Sequence, residues 1–488
     1  MSELPIRNAP LAEIELKLEI SAADLEKVAL SSFLGQPAAT LELHSVYFDT
    51  GDCRLFDNGF TLRIRRSGEK SIQTVKATGS NASLFARSEW ETPARTNTPV
   101  FDYNSPLLNR FGPIERDLVV QFEVVTNRRI WNLTEGASSI EVAADGGIVM
   151  AGDRQAPFHE IELELKGGDP RQLFTLARKI NAIVPVKIGV QSKSERGYRL
   201  LSALRNAAKA EAIGLEPRLT ADEGFRMIAL SCFRQFRLNE VLLLQKGHAG
   251  SLHQARVAIR RLRSALSIFK PLLDENAKRF SDEFRWLANT LGEGRNLDVL
   301  MLKAADGELW EKLETARKGS YAEILEALAS DRSRALMLDF NEWLHCGDYA
   351  KHPDGEKPIE DFAAKALDRM RKKLKKHGRD LAEIDDEHRH EARKDAKKLR
   401  YAAEFFAPLF ADKRGLRRYK NFNRAMEALQ DRLGALNDLT IGHEVFKKYG
   451  IEETPEAQKL IFYADKKQLI EKAQTALDDV LDAKKFWR

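Results

Sequence analysis

The chain has only three cysteines in 488 residues, Cys53, Cys232 and Cys346. They stand far apart, form no paired spacing of the metal-binding kind, and suit a reducing cytoplasm. No apolar run approaches the ~20 residues that cross a bilayer, which excludes a membrane-embedded protein. The opening segment MSELPIRNAPLAEIELKLEI lacks a basic stretch followed by an apolar block, so no secretory signal is read and a cytoplasmic location is expected. Neither sign of charge prevails: 78 Lys+Arg stand against 73 Asp+Glu, a net +5. The 43% hydrophobic content is too high for a disordered chain, and with 31% charged residues it describes a soluble globular one. At ~100–200 residues per domain, the length calls for two or more domains.

The small net charge conceals two unlike parts. Residues 1–200 carry 24 basic and 26 acidic side chains, whereas residues 201–488 carry 54 and 47. The first part alternates with period two in EIELKLEI, TLRIRR, SIQTVKA, RSEWET, QFEVV, SIEVAAD and HEIELELK. Turn signals at Asp57-Asn58-Gly59, Ser67-Gly68, Gly146-Gly147 and Gly167-Gly168 separate these segments. Many strands at short spacing predict an antiparallel sheet closed into a barrel or sandwich. From about Leu201 the alternation gives way to helical periodicity with few Pro or Gly, which predicts an all-α bundle. The expected organisation is a β domain over 11–202, a linker over 203–219 holding Gly214 and Pro217, and a helical domain over 220–488.

The charged faces of the strands are matched in chemistry. Glu13, Glu15 and Lys17 share one face, as do Glu160, Glu162 and Glu164, Arg63 and Arg65, and Arg87, Glu89 and Glu91. On any one strand such a face is ordinarily the wet side of a sheet. Repetition across many strands instead fits a barrel with a polar lumen. An E-x-E pair sets two carboxylates ~6–7 Å apart along a strand, and two facing pairs suit a hard divalent cation such as Mg²⁺ or Mn²⁺. Lys17, Arg63, Arg65, Lys76, Arg87, Arg128 and Lys193 supply the donors that match phosphate oxygens. Acids for metal and bases for phosphate in one lumen describe metal-assisted phosphoryl transfer.

These residues resemble the CYTH superfamily of triphosphate tunnel metalloenzymes. The likeness rests on Glu13-x-Glu15-x-Lys17, Tyr47-Phe48-Asp49-Thr50, Leu62-Arg63-Ile64-Arg65, Lys76, Arg128-Arg-Ile-Trp131, Glu141-Val-Ala-Ala-Asp145-Gly146, the EIELELK strand, and Ser192-Lys193 before Arg196-Gly197-Tyr198, in that order over about 11–200. It implies an eight-stranded antiparallel tunnel barrel. It also implies divalent metal on Glu13, Glu15, Glu162 and Glu164 with Asp145 nearby, and phosphates on Lys17, Arg63, Arg65, Lys76, Arg87, Arg128 and Lys193. Catalysis then falls to Glu13, Glu15, Lys17, Glu162 and Glu164. The family includes inorganic, thiamine and RNA 5′-triphosphatases and class IV adenylate cyclases. The cyclases' His-Phe pair before E-x-E-x-K is replaced here by Arg7-Asn8-Ala9-Pro10-Leu11-Ala12. No aromatic cluster suggests a stacked base, so a substrate that is mostly phosphate is expected; the resemblance implies inorganic triphosphate, with nucleotides and thiamine triphosphate as alternatives.

The helical part repeats itself. His253-Gln-Ala-Arg256-Val-Ala-Ile-Arg260-Arg261-Leu262-Arg263 returns as His390-Glu-Ala-Arg393-Lys-Asp-Ala-Lys397-Lys398-Leu399-Arg400. Further along, Leu291-Gly292-Glu-Gly-Arg295-Asn296 returns as Leu433-Gly434-Ala-Leu-Asn437-Asp438. Two markers in the same order at nearly equal offset indicate a duplicated helical unit, about 220–345 and 357–488. The +3, +4, +3 spacing puts His253, Arg256, Arg260 and Arg263 on one helix face, and His390, Arg393, Lys397 and Arg400 on another. This part resembles the CHAD domain. The resemblance implies a polyphosphate-binding bundle in which these eight residues line an anion groove, and it makes a polyphosphate-sequestering protein the second functional reading. Little aromatic residue accompanies the basic runs, so nucleic acid is not the expected partner.

Overall fold

Among the described residues nine antiparallel strands, one more than the eight expected, form one sheet in the order β5-β4-β3-β2-β6-β7-β8-β1-β9. They are β1 Ile14–Glu19, β2 Ala39–Thr50, β3 Phe60–Ser67, β4 Lys70–Ala77, β5 Ser88–Pro93, β6 Leu118–Glu135, β7 Ser138–Ala151, β8 Arg154–Gly167 and β9 Lys187–Ile188. This computed structural model describes all residues except 1–13, 78–87, 102–104, 203–205, 305–306, 348, 350–351, 453, 455–456 and 459–465. Every alternating segment named above coincides with a strand. β2 is an addition, because its second half is buried on both faces and loses the period-two signal.

Helices α1 (Ala22–Ala29), α2 (Arg54–Asp57), α3 (Pro106–Phe111), α4 (Arg171–Ile183) and α5 (Lys193–Leu201) accompany the sheet. Leu16, Leu18, Ile140, Val142, Ile161 and Leu163, the apolar face of β1, β7 and β8, are all buried, as are Leu173, Phe174, Leu176, Ala177 and Ile180 of α4, which packs on β1 and β8. The alternation is therefore inverted relative to a common two-sided sheet: the apolar face lies under helices, and the charged face curls around a cavity.

The chain divides into two units, one formed by residues up to 205 with Asp331–Cys346, the other by Asn206–Ser330 with Gly347–Arg488. The second contains α6 (Ala221–Lys246), α7 (Ala249–Ile268), α8 (Asn276–Met301), α9 (Glu308–Ala329), then, after α10 (Asp331–Cys346) of the first unit, α11 (Ile359–His377), α12 (Asp386–Phe406), α13 (Lys413–Lys448) and α14 (Lys466–Asp482). Its contacts express the duplication. α6 packs on α7, α7 on α8 and α8 on α9; α11 packs on α12, α12 on α13 and α13 on α14. Each of α6, α7 and α8 also meets its counterpart α11, α12 or α13.

Helix α10 comes from inside the helical part of the sequence, yet it packs on α4 and β9 of the sheet unit. Arg178 of α4 reaches Asp339 at 2.7 Å and Glu342 at 2.5 Å, Arg334 Nε donates to Asn181 Oδ1 at 3.0 Å, and Arg171 donates to the Cys346 carbonyl at 2.7 Å.

Candidate functional site

Strand register arranges the lumen in rows. Glu15 of β1, Glu164 of β8 and Glu141 of β7 stand directly opposite one another. The adjacent row is Lys17–Glu162–Ala143, and the next is Glu19–Glu160–Asp145–Arg128. Elsewhere on the sheet, Tyr47, Arg63, Thr74 and Glu91 form one row and Thr61, Lys76 and Glu89 another. Directly opposed residues sit ~5 Å apart, so each row presents a contiguous chemical surface. A cavity of about 200 Å³ gathers side chains from β1 to β8 and from the start of α5.

Among the sequence-predicted residues, Glu15, Lys17, Arg63, Arg65, Lys76, Arg128, Glu162, Glu164 and Lys193 all line this cavity. Glu13 and Arg87 lie outside the described residues. Asp145 is fully buried and sits behind the lining, as does Glu160. Tyr47, Thr61, Glu89, Glu91, Glu141, Ser192 and Ser194 line the cavity as well, and the sequence reading assigned none of them a site role. Glu141 had a signal: it is four residues before Asp145 on a strand, hence on the same face.

The lumen floor is a network of paired charges. Arg128 Nε donates to Asp145 Oδ1 at 2.7 Å and Nη2 to Oδ2 at 2.6 Å, a fork that fixes the guanidinium; the same Arg128 also reaches Glu162. Lys193 Nζ meets Asp145 at 2.7 Å, Glu160 at 2.5 Å and Glu162 at 2.8 Å, and Lys17 contacts Glu15, Glu160 and Glu162. Burial works against the Lys17 ammonium, but Glu15, Glu160 and Glu162 more than offset it and hold it well above the ordinary lysine value. Burial also disfavours the Glu162 carboxylate, yet Lys17, Lys193 and Arg128 hold it well below the carboxylate range. Asp145 is lowered in the same way, with Lys193 the leading charge against its burial. Arg65 is the opposite case: burial, then Arg63 and Arg128, bring it down to about 9.

The N-terminus of α5 places Lys193. Ser192 caps it in a reciprocal pair with Glu195. Tyr198 on the same helix donates to the buried Asp49 at 2.8 Å, whose carboxylate also takes the Leu55 and Phe56 amides. A Cβ on Gly197 would lie 2.2 Å from Phe122, so α5 sits on β6 at a distance only glycine permits.

Two acidic groupings suit a cation. Asp145, Glu160 and Glu162 offer oxygens within 4.8 Å of one another, but Arg128, Lys17 and Lys193 already neutralise them. The Glu15–Glu164–Glu141 row faces the cavity with Lys17 and Lys166 as cationic neighbours, Lys166 at 2.6 Å from Glu164 and 3.8 Å from Glu141. Glu15 Oε1 is buried and accepts no hydrogen bond among the described residues, with Lys17 Nζ 3.1 Å away. An all-oxygen set with a carboxylate oxygen left in that state fits a hard divalent cation.

The helical unit carries a second charged cluster. Where α7 meets α12, Arg256 and Arg260 come together with Arg393 and Lys397. His253 stands beside Arg295 of α8, and burial with Arg295, Arg260 and Arg256 lowers it to about 4. His390 stands beside Arg393 and Asn437 of α13. The other two predicted groove residues are engaged differently: Arg263 has Arg285 and Asp282 of α8 as its charged neighbours, and Arg400 donates to Gln430 at 2.9 Å. Arg261, within the same motif, is buried and structural, bonded to Gln235 and Glu404.

With this geometry in place, residues 11–198 match the CYTH domain and residues 227–447 the CHAD domain. The chain is a CYTH domain followed by a CHAD domain. It is 32% identical over 206 residues to an inorganic triphosphatase of Haemophilus influenzae, covering 40% of this chain and 56% of that protein, so it spans little more than half the relative's length. An uncharacterised protein of Mycobacterium tuberculosis is 26% identical over 492 residues, covering 90% of this chain and 88% of that one. The crystal structure of the CHAD domain from the plant Ricinus communis superposes with a TM-score of 0.48 and 26% identity, covering 56% of this chain and 96% of that one. No helix of the described residues is long and apolar enough to cross a membrane.

Proposed function

We propose that the tunnel unit is a metal-dependent inorganic triphosphatase that cleaves triphosphate to diphosphate and phosphate, and that the helical unit binds polyphosphate. The observation that carries the first reading is the single cavity that holds both Arg63, Arg65, Lys76 and Arg128 and the carboxylate row Glu15–Glu164–Glu141. The inorganic triphosphatase relative supports the same reaction class.

Arg63, Arg65, Arg128 and Lys76 take the phosphate oxygens and hold the chain in line for attack by water. The anion relieves the crowding that lowers Arg65. Water adds to the terminal phosphorus, the anhydride P–O bond breaks, diphosphate leaves, and the proton from water passes to solvent. Asp145 and Glu160 act from behind the lining by orienting Arg128 and Lys193. Glu15, Glu141 and Glu164, with Glu162 beside them, would hold Mg²⁺ or Mn²⁺, and the bound ion supplies charge neutralisation on the phosphates.

Among the described lining residues Tyr47 is the only aromatic, and its ring is stacked on Phe122 with centroids 4.6 Å apart. A purine or thiazole finds no open platform there, which favours a guest made of phosphate alone. Phosphate release measured across triphosphate, longer polyphosphate, ATP and thiamine triphosphate, with Mg²⁺ and with Mn²⁺, tests this. The highest kcat/KM is expected on triphosphate, and a preference for ATP or thiamine triphosphate would overturn the assignment.

The α7–α12 cluster supports the second reading. It concentrates Arg256, Arg260, Arg393 and Lys397 at one helix crossing. Binding of long-chain polyphosphate to the full chain is expected to weaken in the Arg256→Ala, Arg393→Ala double variant, and unchanged affinity would overturn it.

A further inference from the structure

The cluster at the α7–α12 crossing holds donors without acceptors. Arg260 Nε, Arg393 Nε and Asn437 Nδ2 are buried, and none has a hydrogen-bond partner among the described residues. Leaving such groups unmade is costly, so the arrangement calls for an oxygen-rich guest. Two side chains lie outside the His-led motifs: Arg295 of α8 faces His253, and Asn437 of α13, its Nδ2 unpartnered, accepts from His390 through its amide oxygen. They occupy equivalent places in the two copies of the second duplicated segment.

Besides Arg295 and Asn437, the copies differ inside the cluster at one further place. Arg260 of α7 corresponds to Lys397 of α12 in the aligned His-led motifs. A guanidinium holds its proton more firmly than an ammonium, which gives it up more readily when crowded. We propose that this cleft takes up a proton together with a polyphosphate chain: Arg295 and Asn437 complete the set of phosphate donors, and solvent protonates Lys397 Nζ as the anion arrives. The inference rests on the reading of the helical unit as a polyphosphate binder. No bond of the anion is made or broken; a proton moves from solvent to one amine.

Lys397 is half-buried. It faces Arg256 and Arg260 from α7 and Arg393 from its own helix, against one carboxylate, Asp438 of α13. From α11, Lys373 and His377 both engage Asp395, at 3.0 and 2.7 Å. Burial and the three arginines bring Lys397 down to about 6, so the cluster by itself favours the neutral amine at neutral pH. A polyanion reverses the balance of charge around it and restores the ordinary lysine affinity for a proton. Between about pH 6 and the ordinary lysine value near 10, binding then takes up close to one proton, and affinity falls by up to about tenfold per pH unit as pH rises.

The test is calorimetric titration of the full chain with long-chain polyphosphate and a chelator, within that pH window, in two buffers of different ionisation enthalpy. The Arg256→Ala, Arg393→Ala chain gives the contribution of the tunnel for subtraction. Wild type is expected to take up close to one proton per cleft. Lys397→Arg should lose the uptake and keep its affinity at high pH, while Lys397→Met should lose the uptake and bind more weakly. Arg295→Ala and Asn437→Ala should each weaken binding about tenfold. Equal uptake in wild type and Lys397→Arg would overturn the proton coupling while leaving polyphosphate binding standing. An affinity that Arg256→Ala, Arg393→Ala leaves unchanged would instead overturn the binding reading itself.

Discussion

Asp145 does its work through another side chain. Its two oxygens fix the Arg128 guanidinium and it also meets Lys193, so two cavity-lining cations depend on one buried carboxylate. Asp145→Asn keeps the shape and removes the charge; it is expected to lower kcat/KM on triphosphate about a hundredfold, because misplacement of a binding group by ~1 Å has that effect. Steady-state phosphate release reads this directly. The same network sets the acid limit of the fold. Asp145 and Glu162 are held below their ordinary values, so their ionisation stabilises the folded chain fully above the unfolded value near 4 and is lost as pH falls through the folded one. Thermal melting followed from neutral to acid pH should show stability falling below about pH 4, with a shallower fall in an Asp145→Asn, Glu162→Gln chain.

At the level of elements, the placement of α5 on β6 leaves little room for change. Any side chain at position 197 meets the Phe122 ring, so Gly197→Ala is expected to cost about 1–3 kcal/mol, measured by chemical denaturation, and to lower activity through displacement of Lys193. How much of this was legible in sequence depended on range. Alternation in EIELKLEI and HEIELELK gave the strands and the shared face of Glu15, Glu162 and Glu164, because parity along a strand is local. Which face pointed inward was not local: the burial of Leu16 and Leu18 under α4 decided it. Parity put Glu89 and Glu141 on charged faces, but only cross-strand register shows that each contributes a lining carboxylate. On α7, helical spacing aligns His253 to Arg263 along one face, but those eleven residues extend ~15 Å along the axis. A helix crossing gathers only part of such a row, and Arg263 goes to Asp282 and Arg285.

For the whole molecule, the order of the chain and the order of the units differ. α10 belongs to the sheet unit although its residues follow α9, and nothing in the local periodicity of Asp331–Cys346 marks this. It packs on β9, which pairs with β1, the strand of Glu15 and Lys17. A fragment ending at residue 205 lacks this helix. Its melting temperature is expected to rise when a peptide of residues 331–346 is added, and no change on addition would contradict the pairing. Arg178→Ala in the full chain should have a small effect, under about 1 kcal/mol, because Arg178 is 41% exposed and its pairs with Asp339 and Glu342 are correspondingly weak.

The triphosphatase reading depends on the Glu15–Glu164–Glu141 row and the Arg63–Arg65–Lys76–Arg128 wall acting on one guest. The most direct measurement is product formation from inorganic triphosphate by the full chain and by Glu15→Gln, with Mg²⁺ or Mn²⁺ and with a chelator. Wild type with metal should yield diphosphate and phosphate in equal amounts, and Glu15→Gln or removal of metal should lower turnover about a hundredfold. Undiminished turnover by Glu15→Gln would contradict the assignment.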